Sequence, residues 1–478
     1  MSSIVKIGWS QADITPDRPV LIAGQFHARV SEGVMDPVTA TALALDGGES
    51  RAVLVSCDLV GTPDGFRDAV RAHVKCDVAP DAIVLNGTHT HTAPEVRPPD
   101  SLGGHTSCGP GVELPAMPVQ EYVDFAAARI ARVVDEAWSS RTPGKVAFGL
   151  GHAVVGRNRR WVNLAGRATM YGDTNTPEFS HIEGYEDHSV NVLATYDEAD
   201  ALTGIVVNVP CPSQVDEGLF VLSADYWCET RRELRRRLGE KLFVLPQCSA
   251  AGDQSPHPLF EKRAAARMLE LTGRTEREAI AHEIGDAVEE TLRAVGRTAS
   301  DSPVMRRHVE QLDLPVADLT EKDVRAALAE AETLRVQYEA EKAKLDAHPE
   351  LRNQPRWYVP VTRAYRRMLW FRGVAGRYER QREKPTQPVE LHVVRLGDVA
   401  FATNPFEYYL DFGIHIKCRS AAVQTFLVQL AGRGTYVPAE RATRGGAYGA
   451  VPASNPFGPP AGRLLAERTV DIIARLWS

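Results

Sequence analysis

Ala82-Ile83-Val84-Leu85-Asn86-Gly87-Thr88-His89-Thr90-His91-Thr92-Ala93-Pro94 opens as an apolar run and breaks into a polar loop that carries two histidines one residue apart. The run has the length and the β-branched content of a buried strand, and Pro94 marks its end. In open α/β sheets ligands gather beyond the carboxyl ends of the strands, so His89 and His91 stand where chemistry is expected. Imidazole is the commonest protein ligand for zinc, and Thr88, Thr90 and Thr92 offer hydroxyls to orient the rings. Alone, the pair reads equally well as two hydrogen-bonded loop histidines. It gains meaning only if distant segments supply matching ligands.

The 478 residues, 44% hydrophobic and 24% charged, have the composition of a globular protein, and large α/β enzymes of this length are built around one sheet. The net charge is -7, and basic residues are spread along the chain apart from Arg231-Arg232 and Arg235-Arg236-Arg237. That is not the basic stripe of a nucleic-acid binder. The N-terminus shows no export signal, and no run of about 18 apolar residues suits a membrane span. Seven scattered cysteines, an odd number, fit reduced thiols better than a disulfide framework, so a cytoplasmic location is expected.

Working outward, residues 39–45 and 52–59 read as a hairpin around Asp46-Gly47-Gly48-Glu49, with Asp58 closing the second arm. Residues 64–74 suit a crossover helix, and the proline-rich stretch 94–118 a long irregular loop. An amphipathic helix follows at 121–139, then a strand at 146–155 that leads into Gly156-Arg157-Asn158-Arg159-Arg160-Trp161. Residues 190–196 and 202–209 make another hairpin. Pro210-Cys211-Pro212-Ser213-Gln214 then cannot continue as a central strand, because two prolines remove ladder donors. Ser223 is the expected N-cap of a helix running to Leu238, with Asp225 at its positive end. A strand at 242–245 delivers Gln247 to Pro256 into a further strand-end loop, and 275–295 is helical.

From 320 to 346 a helical stripe runs through a highly charged stretch, capped by Thr320 with Asp323 three residues on. With 364–381 it forms a helical hairpin, spanning 315–385, inserted into a single catalytic domain of residues 1–478; it covers the site or makes a subunit contact. Sheet returns at 389–396, 399–403 and 426–430, and a helix at 462–477 ends the chain. The expected fold class is α/β, a mixed β-sheet core flanked by helices with an inserted helical hairpin.

His89-Thr90-His91-Thr92-Ala93-Pro94, Asn158-Arg159, Gly252-Asp253-Gln254-Ser255-Pro256, Pro405-Phe406-Glu407, and Tyr436-Val437-Pro438 followed by Tyr448 resemble, in this order, the motifs of the neutral ceramidase family of zinc-dependent amide hydrolases. The resemblance implies that His89 is a zinc ligand, Glu407 a carboxylate ligand and Tyr436 a phenolic ligand. It implies that His91 contacts substrate or orients the zinc-bound water, that Arg159 holds a substrate oxygen, that Ser255 lies in the active centre, and that Tyr448 points at the scissile carbonyl. Zinc accepts nitrogen and oxygen donors and lowers the pKa of bound water to about 7.

Two departures follow. The family carries a second metal-binding histidine just after the strand corresponding to 205–209, where this chain has Pro210-Cys211-Pro212-Ser213-Gln214. Cys211, Asp225, His91 or water is then expected to complete the ligand set. A thiolate suits Zn2+, whereas a carboxylate favours Mn2+ or Mg2+. The family's members are also secreted or membrane-facing and usually carry a further β-sandwich domain, while this chain stops soon after Tyr448 and has no evident lipid-binding stretch. The expected activity is therefore metal-dependent hydrolysis of a carbon–nitrogen bond in a small polar substrate, without nucleic-acid or membrane partners and with a homo-oligomer left open. A lyase, isomerase or esterase on the same scaffold is the alternative, and a non-catalytic ligand-binding protein the third reading.

Overall fold

The computed structural model describes residues 4–98, 107–432 and 434–478. Its first sheet has eight strands: β1 (Lys6–Asp13), β2 (Thr39–Asp46), β3 (Arg51–Cys57), β4 (Ile83–Gly87), β5 (Thr142–His152), then Ser189–Asp197, Leu202–Val209 and Phe243–Cys248. In space they run β4, β3, β2, β1, β5 and on through the last three in chain order. The β3–β4 pair is parallel, as is the pair formed by Leu202–Val209 and Phe243–Cys248, and the remaining pairs are antiparallel. A second sheet takes Met305–Pro315, Thr386–Leu396, Val399–Thr403 and Gln424–Val428 in that order.

Alternation along the strands explains how the layers stack. On β2 and β3, Leu43, Leu45 and Leu54 face the second sheet and pack with Leu396, Phe401 and Phe426. Their neighbours Ala40, Ala42, Ala44, Val53 and Val55 point the other way, into a helical layer. A side-chain period of two puts apolar residues on both faces, which is why these runs read as fully apolar. The helical layer is α1 (Asp64–His73) and α2 (Val119–Ser139) on this half of the sheet. On the other half it is α3 (Tyr226–Leu238) and α5 (Glu276–Val295), while α4 (Lys262–Thr272) buries no side chain. The Pro459–Trp477 helix covers the outer face of the second sheet. The result is a mixed α/β protein of four layers, helix, sheet, sheet and helix, as its sequence indicated in class.

The structure differs from the sequence reading in detail. β1 and the Met305–Pro315 strand were not anticipated, and the first five residues of the helix expected from 364 precede it: α7 (Val359–Arg380) starts at Val359 with a proline in its first turn. Proline lacks a donor that the first helical turn would leave unused anyway, so Pro360 opens the helix rather than blocking it. α3 is capped by Asp225, not Ser223: the Asp225 carboxylate accepts from Tyr226 N. Ser223 instead donates to Asp36 and accepts from Asp225 N. Of the loop expected at 94–118, residues 99–106 lie outside the described residues.

α6 (Glu321–Ala347) and α7 form an antiparallel pair between two strands that are neighbours in the second sheet, Met305–Pro315 and Thr386–Leu396. Ala331, Leu334 and Met368 join the helices. α7 is pinned to the loop before β2, where Thr362 Oγ1 and Tyr358 OH accept from Ala28 N and Val30 N at 3.0 and 3.1 Å.

Candidate active site

His89 leaves β4 in a left-handed conformation, φ 67°. A side chain there is costly and persists only where surroundings hold it. Here its backbone N donates to Leu59 O at 3.0 Å and its Nδ1 lies 2.7 Å from Val60 O. A carbonyl only accepts, so Nδ1 carries a proton and Nε2 is the nitrogen that faces inward. Glu407 Oε2 stands 3.3 Å from that Nε2, and His91 Nε2 also stands 3.3 Å from it.

His91 is oriented from two sides. Its Nδ1 is 3.5 Å from Glu217 Oε2, and Gln214 Nε2 donates to its Nε2 at 2.9 Å. The same amide's Oε1 accepts from Arg159 Nη1 at 3.4 Å, which fixes the amide's orientation. Burial, then the charges of His89, Arg29, Arg159 and Arg97, hold the His91 pKa well below that of a free imidazole, so it is a neutral ring at physiological pH. Gly24 sits against it at φ +95°, and a Cβ there would lie 2.6 Å from His91 Cγ.

The second sheet supplies the other wall. Glu407 and Tyr436 are register partners in a short parallel pairing of Glu407–Tyr408 with Tyr436–Val437, which brings side chains far apart in sequence together. Gly252 permits it, since a Cβ there would meet Glu407 O at 2.4 Å. Arg159 Nη2 donates to Tyr436 OH at 3.0 Å and to Gly252 O at 2.9 Å, and lies 3.9 Å from Glu407 Oε2. Burial opposes its charge, but Tyr436, Tyr171 and Glu407 hold the Arg159 pKa well above the ordinary value. Burial also opposes ionisation of Glu407, yet His89, Arg159 and the Tyr436 hydroxyl keep its pKa low.

Tyr448 packs on Tyr436 with ring centroids 5.3 Å apart. Phe26 and Trp370 of α7 flank it, each at 5.8 Å, so the helical hairpin covers the site. Burial and the nearby Glu407 charge push the Tyr448 pKa up to about 12, leaving a neutral phenol able to donate. Ser255 lies one shell back: its Oγ accepts from Tyr171 OH at 3.1 Å, and the Tyr171 ring lies beside the Arg159 guanidinium.

Of the residues expected from sequence, His89, His91, Arg159, Glu407, Tyr436 and Tyr448 meet here, with Ser255 behind them. Cys211 and Asp225 do not take part. Cys211 Sγ is buried against Val155 O and Pro212 O at 3.5 and 3.4 Å. Both Asp225 oxygens accept from backbone amides, of Val215, Asp216 and Tyr226. The residue of that segment that reaches the site is Gln214, foreshadowed only by its place in a Pro-x-Pro loop at a strand end. The threonines pin the loop rather than the rings, since Thr90 and Thr92 both donate to Ser223 O.

Whether a cation fits can be judged from the donors. His89 Nε2 and Glu407 Oε2 stand 3.3 Å apart, with the Nδ1 side of His89 turned away onto Val60 O. Tetrahedral ligands at about 2.0–2.1 Å from zinc stand roughly 3.3 Å apart, so the pair suits two corners of such a site. Tyr436 lies beside them as a third donor, hydrogen-bonded to Glu407. His91 Nε2 is engaged by the Gln214 amide at 2.9 Å, which leaves His91 facing the site rather than counted in this ligand set. The acidic and thiol groups that do close among the described residues, Asp36, Cys228 and Glu229, are tied up otherwise, with both carboxylates on Arg277 at 2.7 Å.

No family model matches the chain, and no curated protein matches it. Among solved structures, neutral ceramidase from Pseudomonas aeruginosa superposes with a TM-score of 0.67 at 15% identity, covering 100% of this chain and 75% of that one. A ceramidase complexed with C2 gives 0.68 at 14% identity, covering 99% and 75%. Across its whole length, then, this chain has the fold of the neutral ceramidases.

Proposed function

We propose that the protein is a zinc-dependent hydrolase that cleaves the carbon–nitrogen bond of a small polar amide. The observation that carries this reading is the convergence of His89 Nε2 and Glu407 Oε2 at 3.3 Å, with Arg159, Tyr436 and Tyr448 beside them. His89, Glu407 and Tyr436 would hold the ion, and a bound divalent cation supplies Lewis acidity and hydroxide at neutral pH. Arg159 and Tyr448 are the donors for the carbonyl oxygen as negative charge develops on it. His91, neutral, would take a proton at Nε2 once that atom gives up its hydrogen bond from Gln214, and deliver it to the leaving amine, with Glu217 beside Nδ1 stabilising the imidazolium meanwhile. Gln214 holds the ring in this tautomer. Both structural neighbours are ceramidases, which supports amide chemistry. A polar substrate accords with the charged outer surface of α6, where Arg335 pairs with Glu332 and Glu339. Seven free thiols and the lack, among the described residues, of any helix able to cross a membrane accord with a cytoplasmic setting.

Elemental analysis of purified protein, joined to product analysis in heavy-oxygen water, tests the proposal. About one zinc per chain and solvent oxygen in the acid product are expected. Product without solvent oxygen would point to lyase or isomerase chemistry instead, and His89→Ala protein that keeps its metal would remove His89 from the ligand set.

A further inference from the structure

The arginines of α3 form the chain's densest basic cluster, and the catalytic centre uses none of them. Arg231, Arg232, Arg235 and Arg236, with Arg274 and the start of α5, line a groove of about 860 Å³ that also takes in Gln11 and Thr39. Small-molecule sites typically measure about 300–1,000 Å³, so the groove has the size for a ligand and is too confined for a bilayer or a duplex.

Its charges are unevenly matched. Arg231, buried at the base, is paired through both Nη atoms with Asp58 at 2.8 and 2.9 Å, while its buried Nε has no partner. Arg236 pairs with Glu233 at 2.7 Å. Three further guanidinium groups meet no carboxylate at ion-pair distance among the described residues. Arg232 reaches only Cys228 Sγ at 3.4 Å; Arg235 donates to Gln11 Oε1 and Leu242 O at 2.9 and 3.1 Å; Arg274 has no side-chain partner. The acidic residues of the lining are mostly committed elsewhere. Glu229 holds Arg277, Glu233 also holds Arg237, and Glu278 accepts from Thr275 in a helix cap, which leaves Glu240 at the rim. Burial and the neighbouring Arg231 charge lower the Arg235 pKa, an effect that Glu240 only partly offsets.

We propose that this groove binds a small multivalent oxyanion of the phosphate-ester class, held by Arg232, Arg235 and Arg274. Guanidinium forks match the paired oxygens of a phosphate, and several of them along one groove favour an anion of more than one charge. None of the lining residues belongs to the catalytic cluster, so this ligand is distinct from the amide substrate.

Isothermal titration of the full chain with pyrophosphate, with citrate in parallel, tests the site, using an Arg232→Ala, Arg274→Ala double variant. Neither side chain is paired with a carboxylate, so the fold should survive, and an unchanged thermal melt confirms it. Saturable binding at one pyrophosphate per chain is expected, weakened about tenfold or more in the double variant. No saturable binding at millimolar pyrophosphate, or equal affinity in the double variant, would overturn the site. Tighter binding of citrate than of pyrophosphate would overturn the phosphate assignment.

Discussion

Single atoms decide how the site works, and Gln214 is the plainest case. One amide group donates to His91 and accepts from Arg159, so it sets both the lone pair of the proposed base and the position of the proposed oxyanion donor. Gln214→Leu keeps the volume and removes both bonds. It is expected to cut activity about tenfold to hundredfold, the usual cost of losing an orienting partner, while stability drops by only about 1–3 kcal/mol. Steady-state kinetics beside urea unfolding read the two apart, and wild-type kcat would remove Gln214 from the machinery. Gly24→Ala should do the reverse. The new methyl group must occupy a φ of +95° and push on His91, so both stability, by about 1–2 kcal/mol for the backbone alone, and activity fall. An unaltered urea midpoint would show that the loop gives way without cost. The ceramidase-like motifs singled out His89, Glu407 and Tyr436, which the fold brings together; Gln214 escaped because a glutamine two residues past a proline carries no signal of what it will face.

At the level of elements, hydrophobic pattern revealed most of what is buried and little of what is paired. The runs on β2, β3 and β4, the hairpin of Ser189–Asp197 with Leu202–Val209, and the helices α1, α2, α5 and α6 were all legible, because burial repeats at the period of the backbone. Met305–Pro315 was not. It lies mostly half-exposed along the edge of the second sheet, so alternation is blurred by residues such as Arg306, Arg307 and His308. What those polar residues do appears only in three dimensions: Glu310 on this strand takes both Nε and Nη2 of Arg468, at 2.6 Å each, and so ties the strand to the Pro459–Trp477 helix. The hydrogen bonds from Arg468 hold the Glu310 pKa down at about 2, below its ordinary 4.5. A carboxylate depressed in the folded state stabilises the fold above its unfolded pKa, and that contribution fades as pH falls from about 4.5 toward about 2. Melting temperature followed against pH should therefore drop across this window in the wild type. Glu310→Gln should start lower at neutral pH and lose this part of the slope, and parallel curves would show that the pair contributes nothing.

For the whole molecule, the deciding feature is how the two sheets are set against each other, because the site lies across their junction. The first sheet's strand ends deliver His89, His91 and Gln214, and the second sheet's deliver Glu407 and Tyr436. No periodicity in sequence specifies that docking, since it depends on contacts between strands separated by two hundred residues or so. Apolar packing alone, such as that of Phe401 and Phe426 of the second sheet against Leu43, Leu45 and Leu54 of the first, tolerates small slips. A buried chain of amides does not. Gln424 donates to Asn191 at 2.9 Å and Asn191 to Asn208 at 3.3 Å; Asn208 donates to Leu427 O at 2.6 Å and to Gln247 at 3.3 Å, joining the sheets atom to atom. Each of these bonds has one geometry, and leaving a buried partner unsatisfied costs about 1–3 kcal/mol. Asn208→Leu preserves volume but orphans Leu427 O and the Asn191 amide. Phe401→Leu weakens the same interface without touching a hydrogen bond. Both variants should melt lower than the wild type. If the amides set the alignment on which the proposed metal ligands depend, added zinc should raise the melting temperature of Phe401→Leu as it raises that of the wild type, and should raise that of Asn208→Leu much less. An equal zinc response in the two variants would mean that packing alone brings His89 and Glu407 into register.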